Sequence, residues 1–226
     1  MIKDSAAELF DGLAATYDGD DYHRIVAERL VDGVPVPAGA GTGSDGGPNT
    51  LLDRVLDIAT GTGEAAFAAV RRLGARHVLA VDIAPGMIAE ARAKASTRDP
   101  DRRIEWRVAP GVPAPVTPAS VDLVLCASAL HFLGTAALVD WRRVLRPGGR
   151  VAFTLPCAST FAASGAAAAL LAPDLRPPAT AGEAAASAAT AGFTEVSVER
   201  LVVRAGGRAR AVYVVHALAG PTPGPV

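Results

Sequence analysis

The segment from Arg54 to Glu64, RVLDIATGTGE, constrains the fold of this chain more than any other stretch. An apolar run containing Asp57 ends in a turn of small residues, and a helical pattern follows. Asp82 closes the next apolar run. Glycines allow a ligand to approach the backbone at a helix N-terminus, and a strand-end carboxylate can accept hydrogen bonds from ribose hydroxyls. The pattern therefore predicts two neighbouring strands whose ends bind a nucleoside-bearing cofactor.

Strand and helix patterns alternate from residue 54 onward, with helical patterns at 63–73 and from Pro85. Continuous apolar strands alternating with helices are typical of a parallel sheet covered on both faces. The last two strand patterns are separated by a short glycine-containing turn, which predicts an antiparallel hairpin at the end of the sheet. The predicted strands are 54–58, 77–81, 104–108, 121–127, 150–155, 194–203 and 209–217.

Four segments differ in composition and predict the domain organisation. Residues 1–33 form an N-terminal helical cap with an acidic break at 17–21, and 34–50 form a flexible linker rich in glycine and proline. Residues 51–220 form the main domain, and 221–226 are a disordered proline-rich tail.

Composition excludes several functional classes. The chain has 226 residues and a formal net charge of -1, which gives no general attraction to nucleic acid or to anionic membranes. Its apolar runs fall short of the ~20 residues of a membrane span, and its first residues lack a signal pattern. Cys126 and Cys157 are predicted to be buried free thiols, and no residue cluster has metal-ligand spacing. We expect a cytoplasmic protein that acts on a small molecule.

Two cofactor classes use a glycine turn of this kind. A dinucleotide needs G-x-G-x-x-G, and Gly61, Gly63 and Ala66 meet that spacing only loosely. Glu64 would then place a negative charge beside the pyrophosphate. S-adenosylmethionine has no phosphate. A strand-end aspartate can meet its ammonium, often through water, and amides of the turn can meet its carboxylate.

Several motifs together resemble class I S-adenosylmethionine-dependent methyltransferases, in the small-molecule branch that includes quinone-biosynthesis enzymes. The matching segments are 10–18, 55–63, 81–87, 120–128, 130–133 and 145–149. The resemblance implies an α/β, Rossmann-like sheet of seven strands in the order 3-2-1-4-5-7-6, with strand 7 antiparallel and helices on both faces. It also implies S-adenosyl-L-methionine as cofactor.

The resemblance implies a cofactor site at the strand ends. In it, Asp57 and the two turn glycines hold the methionine moiety, Asp82 holds the ribose, and two apolar side chains sandwich the adenine while Tyr17 closes over the cofactor. The implied residues are Tyr17, Asp57, Ala59, Gly61, Gly63, Asp82, Ile83, Met87, Gly111 and Ala127. Two departures stand out: no acid in 109–111 can bond the adenine amino group, and Ala84 replaces a capping serine.

Methyl transfer is an in-line displacement in which positioning supplies most of the catalysis. A general base is needed only if the acceptor must lose a proton, and His131, after the fourth strand, is the candidate. A packing role for His131 is the equally weighted alternative, and His23 in the cap is a weaker candidate base. The stretch between strands 5 and 6 carries Phe161, Leu170 and Leu171 and little charge, which favours a small apolar acceptor.

Three hypotheses follow. The first is a methyltransferase acting on a small metabolite or natural product. The second is a methyltransferase-fold protein that does not methylate, such as a cyclase or a pathway partner, and the missing adenine acid motivates it. The third is a nicotinamide oxidoreductase. The sequence leaves open the acceptor, the methylated atom and the oligomeric state, a homodimer included.

Overall fold

The computed structural model describes residues 2–35, 52–163 and 165–220. The predicted tail and nearly all of the predicted linker lie outside these residues. The strands are β1 Arg54–Ile58, β2 His77–Asp82, β3 Ile104–Val108, β4 Val121–Cys126, β5 Leu145–Pro156, β6 Phe193–Ala205 and β7 Arg208–Ala219. The helices are α1 Ile2–Leu13, α2 Tyr22–Asp32, α3 Glu64–Leu73, α4 Pro85–Arg98, α5 Leu130–Leu133, α6 Thr135–Val144, α7 Gly165–Ala169 and α8 Ala181–Thr190.

The strands form a seven-stranded sheet in the order β3-β2-β1-β4-β5-β7-β6. The pairs among β1 to β5 are parallel, and β7 runs antiparallel to both β5 and β6. The predicted order and the terminal hairpin are therefore confirmed.

The core lies on both faces of this sheet. β4 is buried along its whole length, and its alternate residues point to opposite faces. Leu123 and Leu125 pack in one apolar cluster with Phe67 of α3, while Val124 joins the other cluster with Trp141 of α6. A sheet buried on both faces explains why its central strands have continuous apolar sequences.

The helical segment predicted at 1–33 divides into two helices with different surroundings. α2 lies against the sheet, and its Val26, Leu30 and Val31 are completely buried in the cluster that contains Leu123. α1 instead contacts α4, where Asp11 Oδ1 accepts a hydrogen bond from the Gly86 amide at 2.6 Å. Asp11 thus supplies the cap that the side chain of Ala84 lacks.

The segment 146–149, predicted as a turn before the fifth strand, lies inside β5 as an irregularity. Leu145 already pairs with Val121, and the register then shifts so that Arg150 pairs with Leu123. Gly148, with φ +76°, lies in this bulge. The strand therefore begins earlier than its apolar run.

Candidate active site

A cavity of about 470 Å³ opens at the carboxyl ends of β1, β2 and β4. The strand order reverses between β1 and β4, and ligands of open α/β sheets bind at such a point. The volume falls within the roughly 300–1,000 Å³ of small-molecule sites. The wall consists of Ala6, Phe10, Tyr17, Ala59, Gly61, Asp82, Ile83, Met87, Pro110, Gly111, Val112, Ala127, Ser128, Ala129, Phe132, Leu133 and Leu170.

Most of the sequence-predicted cofactor residues lie in this wall, and two do not. The residues that line it are Tyr17, Ala59, Gly61, Asp82, Ile83, Met87, Gly111 and Ala127. Asp57 and Gly63 are not among the residues that line it: Gly63 is the last residue of the turn, and Asp57 lies beneath the turn, where it accepts from the Thr60 hydroxyl. Their predicted contact with a cofactor stays a prediction.

The turn from Ala59 to Gly63 folds through left-handed backbone conformations at Ala59, Gly61 and Gly63, with φ of 51°, 55° and 94°. A Cβ atom on Gly63 would lie 2.6 Å from the ring of Trp106, whereas one on Gly61 would lie 3.5 Å from the ring of Tyr17. Gly63 is thus required by packing beneath the turn. Gly61 has no side chain, and this lets the backbone of the turn pass close beneath the Tyr17 ring at the cavity wall.

Asp82 stands at the end of β2 and organises the cavity floor. Its Oδ2 accepts from the Gly61 amide at 2.8 Å and its Oδ1 from the Ala84 amide at 2.9 Å. Burial raises the pKa of this carboxyl, while these amide hydrogen bonds oppose the rise. The Ile83 amide also donates to this carboxyl, and because a carboxylate offers about four acceptor sites, acceptor capacity remains for a ligand hydroxyl. Ile83 and Met87 provide apolar surface beside it.

Asp57 lies on the same face of the sheet as Asp82, fully buried one layer deeper. Its Oδ2 accepts from the Thr60 hydroxyl at 2.5 Å, and the Ala66 amide also donates to the carboxyl. Among the described residues Oδ1 has no hydrogen-bond partner. Burial raises the pKa of Asp57 to about 7. An unpaired buried acceptor behind the turn suits a cationic ligand group reached through water.

The opposite half of the cavity is apolar and comes from distant parts of the chain. Phe10 of α1 and Phe132 of α5 make an edge-to-face contact with ring centroids 5.7 Å apart. Ala6, Leu133 and Leu170 extend this wall. Sequence reasoning missed Ala6, Phe132 and Leu133 as site residues. The helical spacing of Ala6 and Phe10 was the available signal, because positions i and i+4 share a helix face.

Ser128 lies where the polar and apolar halves meet. Its φ is 63°, a left-handed conformation uncommon for a serine, and its amide donates to Thr154 Oγ1 at 2.8 Å. Its hydroxyl oxygen is buried and has no hydrogen-bond partner among the described residues. Ser128 and the following Ala129 both line the cavity.

His131, the candidate base, lies behind the cavity wall. Its ring is 4.1 Å from that of Phe132 and 5.3 Å from that of Phe161, between centroids. Burial lowers the pKa of His131 to about 4, so the imidazole is neutral near pH 7. Nδ1 has no partner among the described residues. The ring is thus in the protonation state of a base, but His131 is not among the residues that line the cavity, whereas the neighbouring Phe132 is.

Comparisons with known proteins agree with this geometry. Residues 55–149 match the model of a methyltransferase domain family. Over 170 residues the chain is 38% identical to aklanonic acid methyltransferase DauC of Streptomyces sp. (strain C5), covering 70% of this chain and 69% of that protein. It is 31% identical over 151 residues to the ubiquinone/menaquinone biosynthesis C-methyltransferase UbiE of Dinoroseobacter shibae, covering 63% of this chain and 55% of that relative.

A solved structure supports the same fold. Phosphoethanolamine N-methyltransferase 2 of Haemonchus contortus, in complex with S-adenosyl-L-methionine, superposes with a TM-score of 0.60 at 16% identity. The match covers 89% of this chain and 53% of that one. Within the described ranges, no helix is long and apolar enough to cross a membrane.

Proposed function

The chain belongs to the class I S-adenosylmethionine-dependent methyltransferases, and from that premise we propose that it methylates a small apolar acceptor held in the cavity at the strand ends. One observation carries the proposal. A single cavity joins a polar floor at Asp82, with Ile83 and Met87 beside it, to an apolar wall that includes Phe10 and Phe132. The floor suits the nucleoside of the cofactor, and the wall suits the acceptor.

The residues present fit the cofactor. Asp82 has acceptor capacity for a ribose hydroxyl, and Ile83 and Met87 would flank the adenine. The unpaired Oδ1 of Asp57 would accept from the ammonium through water. When bound, S-adenosylmethionine supplies a methyl group on a sulfonium, which is a good leaving group. Tyr17 would cover this end of the cavity, and the apolar wall would keep water from the acceptor.

The adenine amino group has no acidic partner in the stretch 109–111. Pro110, Gly111 and Val112 line the cavity there and present backbone groups and apolar surface. A Cβ atom on Gly111 would lie 2.6 Å from Ile58 Cγ2, so glycine is needed for this loop to pack on β1. We propose that backbone groups and apolar contact hold the adenine.

The aromatic wall favours a planar acceptor. Edge-to-face pairs such as Phe10 and Phe132 offer ring surface for stacking. Relatives are named for aklanonic acid and for ubiquinone/menaquinone biosynthesis. If the accepting atom carries a proton, His131 is the proposed base, and its ring must then turn toward the cavity that the neighbouring Phe132 lines. If the acceptor arrives ionised, positioning alone suffices.

Isotope transfer tests the proposal. The protein is incubated with methyl-labelled S-adenosylmethionine and a panel of phenolic, anthraquinone and quinone-precursor acceptors, and products are analysed by mass spectrometry. We expect label in one acceptor class and stoichiometric S-adenosylhomocysteine. Cofactor binding by calorimetry without label transfer across the panel would favour the non-methylating alternative. Absence of cofactor binding would contradict the proposed methyl transfer.

A further inference from the structure

His23 of α2 lines a second, small cavity beside the glycine turn. This cavity has a volume of about 20 Å³, enough for roughly one water-sized group. It adjoins the large cavity, because both are lined by Tyr17, Ala59, Gly61 and Ala127. The His23 ring stacks on Tyr17 with centroids 4.2 Å apart and an interplanar angle of 20°. His23 therefore stands where the end of a ligand passing over the turn would arrive.

Three amides of the turn are already engaged. Gly61 donates to Asp82, Gly63 donates to the Thr60 carbonyl at 3.0 Å, and Thr60 donates to the Val81 carbonyl at 3.0 Å. The expectation that these amides receive the methionine carboxylate therefore does not hold for these three. With these three amides occupied, a side-chain donor beside the turn would strengthen the binding of that group.

The charges around the small cavity are also paired with each other. Lys94 lies 2.5 Å from Asp18 and 3.2 Å from Glu64. Arg98 holds Glu64 in a two-pronged contact at 2.5 and 2.9 Å. The three anions are matched by three cations, namely Asp18, Asp20 and Glu64 with Lys94, Arg98 and Arg210. Each of the three cations is therefore already paired with an anion, and none of them is left to pair with a ligand carboxylate that enters here.

His23 is the exception in this group. Its ring makes aromatic contacts with Tyr17 and Tyr22, and no described residue is seen to hydrogen-bond to its nitrogens. Even a neutral imidazole donates one N–H, and a protonated one donates two. We propose, on the basis of the function above, that His23 binds the carboxylate of the methionine moiety of S-adenosylmethionine. Asp57, on the other side of the turn, would then serve the ammonium.

The test compares ligands that differ only in the carboxylate. Affinities of the full chain for S-adenosylmethionine and for decarboxylated S-adenosylmethionine are measured by calorimetry. His23→Phe keeps a ring against Tyr17 but removes the N–H. We expect it to weaken binding of S-adenosylmethionine by about 10- to 100-fold, the range for a hydrogen bond to a charged group, and to leave the decarboxylated ligand within about twofold.

Two further variants separate this role from a structural one. His23→Gln restores an N–H donor and should recover part of the affinity for S-adenosylmethionine. His77→Phe changes an exposed histidine at the opposite end of β2 and should change neither affinity. Equal loss of both ligands in His23→Phe, or no loss, would overturn the His23 assignment while the proposed function stands. If wild-type protein binds neither ligand, the proposed function itself fails.

Discussion

Asp57 and Asp82 are the same residue type near the ends of neighbouring strands, yet their surroundings differ. Asp82 reaches the cavity and is held by two backbone amides. Asp57 is fully buried behind the turn and keeps one oxygen unpaired. The sequence predicts both as site residues, but it does not predict the depth of Asp57, which depends on how the turn folds back over β1. Their substitutions should therefore have different effects.

Asp82→Ala should weaken binding of S-adenosylhomocysteine by about 10- to 100-fold, because hydrogen bonds from the ribose to a charged acceptor are lost. Calorimetry measures the affinity, and circular dichroism shows whether the variant remains folded. Asp101→Ala, which removes an exposed carboxylate paired with Arg103, serves as the control and should bind normally. A folded Asp82→Ala variant with wild-type affinity would contradict the ribose assignment.

Asp57→Asn should stabilise the cofactor-free protein at neutral pH. Burial raises the pKa of Asp57 in the folded state to about 7, whereas the unfolded value is about 3.9. Between these values unfolding releases a proton, so raising the pH favours unfolding by at most roughly 1.4 kcal/mol per pH unit. The asparagine variant has no carboxyl to titrate and does not lose stability in this way. The difference in free energy of unfolding between variant and wild type should therefore grow from pH 4 to pH 7 and then level off.

Urea unfolding at a series of pH values measures this difference. Asp101→Asn, an exposed matched change, should track the wild type at every pH. Parallel stability profiles for Asp57→Asn and wild type would show that the Asp57 carboxyl titrates normally. The same variant should bind S-adenosylmethionine less tightly, because an ionised partner for the ammonium is lost.

At the scale of single elements, sequence patterns predict the sheet well and the apolar half of the site poorly. β1 and β3 have the predicted bounds, because each is a short run of strand-forming residues beside clear turn signals. β5 begins earlier than predicted, since Leu145 pairs with Val121 before the bulge. The apolar wall brings α1 beside α5, and only the folded chain shows which distant segments meet.

The contact between α1 and α4 should control access to the acceptor side of the cavity. Asp11→Ala removes the side chain that accepts from the Gly86 amide, a cap worth about 1 kcal/mol. We expect about fivefold faster hydrogen exchange in α1 and weaker acceptor binding, with the affinity for S-adenosylhomocysteine within about twofold. Glu8→Ala, on the same helix and exposed, is the control. Unchanged exchange in α1 would show that Asp11 does not hold the helix.

The turn between β1 and α3 should tolerate no side chain at Gly63. Gly63→Ala combines a left-handed backbone with a Cβ only 2.6 Å from Trp106. Gly148→Ala has a similar φ but nothing within 4 Å of the new atom. The difference between the two variants isolates the clash, and we expect Gly63→Ala to be less stable by about 1–3 kcal/mol. Chemical denaturation measures both, and equal losses would mean that the Trp106 side chain moves away without cost.

At the scale of the whole molecule, the N-terminal segment joins two roles in a short stretch of chain. α2 completes the core on one face of the sheet. Nε2 of His216, a residue of β7, lies 2.8 Å from the carbonyl oxygen of Leu30 in α2. α1 contributes Ala6 and Phe10 to the cavity wall and adds little to the core. We therefore expect folding to depend on α2 and acceptor binding to depend on α1.

Two truncations test this separation. Removing residues 1–16 deletes α1 but leaves Tyr17 and α2, so the protein should fold, bind S-adenosylhomocysteine and lose methyl transfer to apolar acceptors. Removing residues 1–33 also strips Val26, Leu30 and Val31 from the core. Full burial of each such side chain contributes about 1.5–3 kcal/mol, against a total stability of roughly 5–15 kcal/mol. We expect this shorter chain to show no cooperative thermal transition, and a folded one would place α2 outside the core.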